Sequence, residues 1–539
     1  MTPPLRRVAG LVAAPTLVLG ALSALPVASA QAAAPDPAPV AAGAAWLQSQ
    51  LTDGLIVNSA FDDGPFNDYG LSVDTALALA AVGGHDATVD EVSAAVAANV
   101  NAYVGDGTTE SYAGALGKAA VLARTAGDDP GDFGGVDLID RLEARVSGSA
   151  ATLGRIQDAS TFGDFANTFG QTFAVRALES AGSPEADAAT GYLIAQQCDE
   201  GFFRQDFTAF DAADQDCDAD PAAEASVDAT ALAVLALLPQ DDESEAKDAI
   251  DAAVAWLKGR QDDNGAFASG PDIPTPNSNS TGLAGWALGE AGETAAAERA
   301  AAYVRAFQVD ETAPCRTALA DQEGAVAYDG AALVAGRKDG ITVALQDQWR
   351  RASVQAVPAL RWAPDSALLP PSISDPAPRF YRAGERVTLH ASQQVPGDTV
   401  CFHLGNRLRT LAPVRLDGSA LIRTKLPAGT ATRTYRFSTD EDKGALVARY
   451  RVLDATKLKV SLKRAVRAGG TQVVRISGLV KGERFRAVLR GKKVAQGVTK
   501  AKGKAVARFK VGKKTGPVRV LVLGEFKNRR ASRAFTITR

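Results

Sequence analysis

The sequence predicts a multidomain chain: an all-α array of about six helical hairpins over residues 40–362, then two all-β sandwiches over 378–454 and 455–539. Three observations predict it. A phrase recurs along the first two-thirds, in which a helix ends in Leu-x-x-x-Gln, a Gly turn follows, and a Ser/Asn-headed, Ala-rich helix begins. Leu193, Gln197, Gly201 and Phe203 lead to Ser226-Val227-Asp228-Ala229-Thr230; Leu257, Gln261, Gly265 and Phe267 lead to Asn279-Ser280-Thr281; Trp46-Leu47, Gln50 and Gly54 lead to Ser72-Val73-Asp74. A period of roughly 40–58 residues marks a repeat architecture. Next, hydrophobic residues make up 46% of 539 residues but aromatics only 6%. Several cores are needed, and they must rest on Ala, Val and Leu; Ala-rich helices pack closely because the side chain is small and loses no rotamer entropy. Finally, after Pro370-Pro371 the texture changes to period-2 alternation with Gly and Asp turns, the signature of strands.

The elements follow in order. Arg6-Arg7, the apolar stretch Val8 to Leu25 and the cleavage-like Ala28-Ser29-Ala30 read as a secretory signal peptide over 1–30, with a flexible Ala/Pro linker over 31–39. No later apolar run is long enough to span a bilayer, so a secreted product is expected, free or held on the wall by non-covalent contacts. Outer helices are expected at 41–51, 89–104, 134–147, 184–197, 245–260 and 294–308; Val89, Val92, Val96 and Val100 fall on one stripe. Inner helices, apolar and poor in charge, are expected at 73–83, 111–126, 168–182, 227–238, 280–291 and 326–335. Most stop at Gly, and Ser72, Ser226 and Ser280 are read as N-caps. A last helix near 341–360 could close the array. Such pairs stack in a line as a solenoid or close as a ring of paired helices. A Pro-rich linker covers 363–377. Arg382 to Leu389 and Arg467 to Val474 both enter a strand through a Gly turn, with Gly397 and Gly482 following at matching distance. This tandem repeat of about 85 residues suits two seven-strand sandwiches.

The Leu-x-x-x-Gln-x-x-x-Gly-x-Phe phrase resembles the QW-type repeat of the squalene cyclase and protein prenyltransferase β-subunit superfamily, over residues 40–362. The resemblance is nearest to secreted actinobacterial proteins carrying prenyltransferase/squalene oxidase repeats. It implies an α/α toroid, in which the Gln and aromatic brace neighbouring repeats, and it implies nothing specific about activity. The sandwiches resemble bacterial Ig-like modules.

The enzyme signatures of that superfamily are absent. Cyclases protonate an alkene from an Asp-x-Asp-Asp cluster; the nearest string, Asp214-Gln215-Asp216-Cys217-Asp218-Ala219-Asp220, lacks the adjacent pair and reads as a solvated loop, with calcium as the lesser alternative. A prenyltransferase zinc needs Asp, Cys and His, and His85 is the only His in 40–362. The thioester string Gly-Cys-Gly-Glu-Gln is missing. With His390 and His403 on expected strands, no Ser/His/Asp triad is assembled. No catalytic residue, metal or cofactor is therefore assigned; two facing carboxylates acting on a glycan stay open.

The inner-helix starts all face one mouth of a ring. Asp74, Tyr112, Asp164, Asn167, Gln171, Asp228, Trp286 and Asp329 are the candidates there for contact with a small organic or glycan ligand, with Glu110 and Tyr328 at equivalent ends. Asp74 and Asp228 have a structural alternative, stabilising a helix N-terminus through its dipole.

Four cysteines suit an oxidising compartment. Cys198 and Cys217 are expected to bond, closing a loop worth roughly 3 kcal/mol by chain entropy; Cys315 and Cys401 either bond or stay free. From Ala455 to Arg539 the chain carries 25 Lys+Arg against 2 Asp+Glu, while the remainder is acidic by 27 charges. Lys492, Lys493, Lys502, Lys504, Lys513, Lys514, Arg529 and Arg530 are the candidate polyanion-docking residues. An anionic cell-wall polymer is the expected partner. Sparse aromatics argue against nucleic acid, which binds by base stacking.

Overall fold

A computed structural model describes residues 35–61, 64–240, 244–311, 316–365, 372–374, 376–438, 446–500 and 503–539. The expected signal peptide lies outside the described residues. Among the described residues the first helix is α1 (Pro37–Ser49), where Asp36 caps the first turn and Pro37 occupies its start, so the end of the expected linker is helical. An Asp-Pro step is a helix start, since Pro has no N–H to leave unpaired there.

Helices then alternate between two rings. The inner α2 (Tyr69–Val82) is followed by the outer α3 (Asp86–Ala97) and α4 (Val100–Val104); then come inner α5 (Ala113–Ala126), outer α6 (Leu138–Glu143), inner α7 (Thr168–Ala181), outer α8 (Ala186–Ala195), inner α9 (Val227–Leu237), outer α10 (Ser244–Arg260), inner α11 (Ser278–Glu290) and outer α12 (Thr294–Phe307). After α13 (Gly330–Asp339), α14 (Val343–Ala356) supplies the sixth inner helix and runs into a 3-10 turn, Val357–Trp362. Each inner helix packs on the next in the order α2, α5, α7, α9, α11, α14, and α14 packs back on α2. The array is an α/α toroid, not a rod. Its closure joins residues nearly 300 positions apart: Arg350 donates to Gln50 Oε1 (3.1 Å) and Val57 O (2.9 Å), and Asn58 donates to Asp347 Oδ1 (2.7 Å).

The recurring phrase is the ring's joinery. Gln197 Nε2 donates to Gly201 O of its own turn (3.0 Å) and to Ala249 O on the next outer helix (2.9 Å). Gln261 repeats this with Gly265 O and Ala296 O, and Gln308 with Gly324 O and Pro39 O, the last reaching round to α1. The turn glycines have positive φ, 95° at Gly201 and 86° at Gly265. A Cβ there would strike the backbone of α10 or α12, so both conformation and proximity require glycine. Two residues beyond the turn glycine, an N–H donates to a side chain on the following inner helix: Ile56 to Ser72, Ile156 to Gln171, Phe203 to Thr230, Phe267 to Thr281 and Val326 to Ser353.

Two expectations are corrected by this pattern. Segment 326–335 is not an inner helix: Gly324-Ala325-Val326 is itself a repeat turn, and α13 is an insertion between that turn and α14, packed through Gly336 against Trp349. Of the three expected serine caps only Ser226 caps its helix; α2 and α11 begin earlier, at Asp68 and Asn277, leaving Ser72 and Ser280 inside.

Each β module is a sandwich of three and five strands. The first has β5 (Ser372–Ile373), β6 (Phe380–Arg382), β7 (Arg386–Ser392), β8 (Thr399–Leu404), β9 (Arg407–Pro413), β10 (Ala420–Lys425), β11 (Ala431–Ser438) and β12 (Leu446–Leu453), the two-residue strands β1 (Val57–Asn58), β2 (Phe66–Asn67), β3 (Phe203–Arg204) and β4 (Ala225–Ser226) lying in the ring. The second has β13 (Lys459–Leu462), β14 (Ala465–Arg467), β15 (Thr471–Ser477), β16 (Arg484–Leu489), β17 (Lys492–Val498), β18 (Lys504–Lys510), β19 (Gly516–Leu523) and β20 (Arg530–Thr538). The sheet orders β10-β7-β5 and β6-β12-β11-β8-β9 recur as β18-β15-β13 and β14-β20-β19-β16-β17. This identity of topology is the structural form of the 85-residue repeat. Among the described residues each module has eight strands rather than seven, because a short strand after the first pairs in parallel with the last.

Cys198 and Cys217 are bonded, with Cα atoms 4.9 Å apart. Cys401 is also disulfide-bonded; Cys315 lies outside the described residues. Among those residues no helix is long and apolar enough to cross a membrane.

Candidate functional site

The inner helices enclose a cavity of about 240 Å³. Each helix gives it one stripe: Asp74, Leu77 and Ala78 from α2; Lys118 from α5; Phe169, Phe173 and Arg176 from α7; Asp228, Leu232 and Leu235 from α9; Leu283 and Trp286 from α11; Val354 and Gln355 from α14. The i, i+4, i+7 spacing on α7 and α9 is that of a single helix face. The side chains that accept from the turns set a common level at Ser72, Gln171, Thr230, Thr281 and Ser353. Counted from it, Phe169 and Asp228 stand two residues toward the mouth, with Asn279 at the same level. Asp74, Phe173, Leu232, Leu283 and Gln355 stand two residues deeper. Leu77, Arg176, Leu235 and Trp286 stand five deeper. At 1.5 Å rise per residue, the first and last layers are about 10 Å apart.

The charges are unevenly satisfied. Asp74 pairs with Lys118 at 2.5 Å. The Lys118 ammonium also lies 5.4 Å from the centre of the Phe173 ring, and the Arg176 guanidinium lies 5.7 Å from the same ring. Asp228 accepts from Ser269 at 3.0 Å through Oδ2 and has the Ser280 hydroxyl beside it. Burial pushes this carboxyl's pKa up, against the lowering from Ser280 and Ser269. Asn279 Oδ1 is buried without a partner. Trp286 is oriented from below, its indole N–H donating to Glu290 at 3.1 Å.

Of the sequence-predicted ligand residues, Asp74, Asp228 and Trp286 meet in this cavity and the others do not. Gln171 is fully buried and spent as a brace, donating to Gly154 O and Ala189 O and accepting from Ile156. Asn167 and Asp329 cap α7 and α13. Asp164 is exposed, bonded to the amides of Asp158 and Ala166. Tyr112 begins α5 beside Glu110, whose carboxyl the Ser160 and Thr161 side chains hold down to about 2. Burial, with smaller contributions from Asp228 and Asp329, raises the Tyr328 phenol. The string Asp214 to Asp220 is used in folding its loop: Asp218 accepts from Asp199 N, and Asp220 pairs with the buried Arg204. Sequence reasoning missed Lys118, Phe169, Phe173 and Arg176. For Arg176 the signal was present, as the one cation of the inner helix α7.

At the mouth, a polar cleft of about 490 Å³ lies between the Arg204–Phe207 loop, Asp220–Ser226 and Ser269–Ile273. The mouth loops expose Phe61, Phe66, Phe162, Phe165, Phe210 and Ile273.

In the second module, Arg490 donates to Lys514 O at 3.1 Å, drawing the β16–β17 and β18–β19 turns together. Lys492, Lys493, Lys513 and Lys514, all exposed, therefore share one tip with Arg490. Lys504 and Arg530 are exposed at the starts of β18 and β20 and do not join them; Lys502 lies outside the described residues. Arg529 is removed from the expected docking set. It is 1% exposed and locked to the fully buried Glu483 at 2.7 Å, because the Arg529-Arg530 pair straddles the strand entry and only one of the two can face out.

The ring is similar to solved structures of low identity. A protein from Actinoplanes aligns over 61% of this chain and 99% of its own, with TM-score 0.41 and 16% identity. Type II terpene cyclase MstE from Scytonema aligns over 60% and 96%, with 0.42 and 15%. Unsaturated glucuronyl hydrolase from Bacillus sp. GL1 aligns over 60% and 95%, with 0.38 and 12%. No family model and no curated protein matches the chain. These likenesses carry no chemistry to it.

Proposed function

We propose that the chain is a non-catalytic ligand-binding protein of the cell exterior. Its ring takes up a small organic molecule with an apolar body, and the cationic tip of its last module holds it on an anionic envelope polymer. The observation that carries the first part is the lumen itself: a cavity of about 240 Å³ walled by Leu77, Phe169, Leu232, Leu283 and Trp286, with a few polar groups converging on it. Such an apolar wall with few polar anchors is the usual make-up of a small-molecule site. The exposed aromatics of the mouth loops give an apolar body a path in. The signal-like N-terminal sequence and the disulfide support an oxidising, extracellular setting. The tip formed by Arg490, Lys492, Lys493, Lys513 and Lys514 supports attraction to a polyanion.

A second reading has one specific observation behind it. Asp228 is a protonatable carboxyl at the edge of an apolar cavity, the requirement for acid-initiated cyclisation. Lys118 and Arg176 weigh against it, since both stand over the Phe173 ring. A carbocation would meet fixed positive charge where it needs an open π face.

The test is mass spectrometry of small molecules copurifying with the exported protein and with its Leu232→Trp variant, which fills the lumen. A species carried by the first and lost from the second is expected; an identical set from both refutes lumen binding. Conversion of a linear isoprenoid by the native chain, abolished in Asp228→Asn, would replace the binding reading with the catalytic one.

A further inference from the structure

Arg176 differs from the ring arginines that are built into its joints. Arg155 donates to Thr208 O and Gln215 Oε1; Arg204 to Gln196, Gln215 O and Asp220; Arg350 to Gln50 and Val57 O. Arg305 pairs with Asp36, Arg337 with Glu311 and Arg361 with Glu290. Among the described residues Arg176 has no such partner, and its one recorded contact is the Phe173 ring. It stands in the deepest layer of the lumen beside Trp286, Leu77 and Leu235. Asp74, a carboxylate lining the same cavity, is already paired with Lys118.

A guanidinium is always charged, offers five donors and pairs best with a flat, two-oxygen anion. Leaving it unmatched in an apolar cavity costs free energy that a ligand anion would recover. We infer that the lumen ligand is an organic anion, a carboxylate or sulfonate on an apolar, ring-sized body. Its charged group sits on Arg176, and its body fills the Phe173–Leu232–Leu283 layer. The opposite end of the cavity, about 10 Å nearer the mouth, presents the Asp228 carboxyl, with Asn279 Oδ1 at the same level, buried and without a partner. Both groups accept, so a hydroxyl or amine on the far end of the ligand would be the matching group. The inference rests on the lumen being the binding site, as proposed above.

The test uses a matched pair of fluorescent probes on the full chain: 1-anilinonaphthalene-8-sulfonate and N-phenyl-1-naphthylamine, the same aryl body with and without the anion. Only signal lost in Leu232→Trp is counted, which removes binding to the mouth loops and to the basic module. The sulfonate probe is expected to bind about tenfold or more tightly than the neutral one, as for a charge-assisted hydrogen bond. That preference should disappear in Arg176→Gln and return in part in Arg176→Lys, while the neutral probe binds all three alike. Lumen-dependent binding of both probes with equal affinity, or a sulfonate preference untouched by Arg176→Gln, overturns the anion inference and leaves the lumen site standing. Absence of any lumen-dependent signal overturns both.

Discussion

Removing one glutamine should open the ring without unfolding it. Gln308 is 3% exposed, and its amide donates to Pro39 O (2.8 Å) and Gly324 O (3.2 Å), tying α1 to the last repeat turn. Gln308→Ala removes two buried hydrogen bonds, about 1 kcal/mol each, and leaves a small void beside Gly43 and Val357. The loss is on the order of 2–4 kcal/mol, and it falls on the seam rather than evenly over the ring. Hydrogen exchange followed by mass spectrometry reads this locally: amides of residues 37–49 should exchange roughly 30- to 700-fold faster. Gln197→Ala removes the same two bonds between adjacent repeats and should leave α1 protected. Unchanged exchange of α1 in Gln308→Ala, or equal exposure of α1 in Gln197→Ala, would refute the argument that α1 is held chiefly across the seam.

Three more outcomes are expected. Arg529→Met should lower the unfolding free energy of the second module by about 3–5 kcal/mol, because Glu483 is left buried and unpaired; Arg529→Met with Glu483→Gln should recover most of it in urea titrations. Burial raises the Asp228 pKa, so the folded chain holds that proton more tightly than the unfolded chain, and stability falls as pH rises from about 4 through the raised value. Asp228→Asn should therefore melt higher than the native chain at pH 7, with the difference vanishing in acid. Retention on a teichoic-type polymer should weaken steeply between low and physiological salt and be lost when Lys492, Lys493, Lys513 and Lys514 are changed to Gln; retention by the chain cut at Asp454 would refute docking through that module.

The paired helices and the repeated sandwich were legible because each has a period that survives in one dimension. Whether the pairs form a rod or a ring is a property of the last helix meeting the first, and no window of sequence contains both Arg350 and Val57. The sixth inner helix was misplaced for a related reason. Ala332 to Ala335 has inner-helix composition, but the turn Gly324-Ala325-Val326 fixes the register, and an insertion separates that turn from α14. In the lumen, attention to helix starts found Asp74 and Asp228 but also drew in Asn167 and Asp329, which cap helices. Starting instead from Phe169 and stepping by four and then three reaches Phe173 and Arg176. Gln171 shows the limit of residue type as a guide: an amide on an inner helix looks like a ligand contact until its neighbours' carbonyls are placed. Arg529 shows the same for charge, since a run of cations does not reveal which one a strand turns inward.

The two ends of the ring touch, Asp36 N donating to Ala363 O at 2.9 Å. A body whose termini are neighbours has no obligatory starting point along the chain. The same helices could be synthesised as a circular permutant, with a short linker across that junction and new ends in the loop before α9. The ring could equally be inserted whole into a surface loop of a host protein, entering and leaving at one spot. Evolution has the same freedom, so modules can be appended beyond Ala363 while the far side of the ring, and the mouth it surrounds, stays unencumbered.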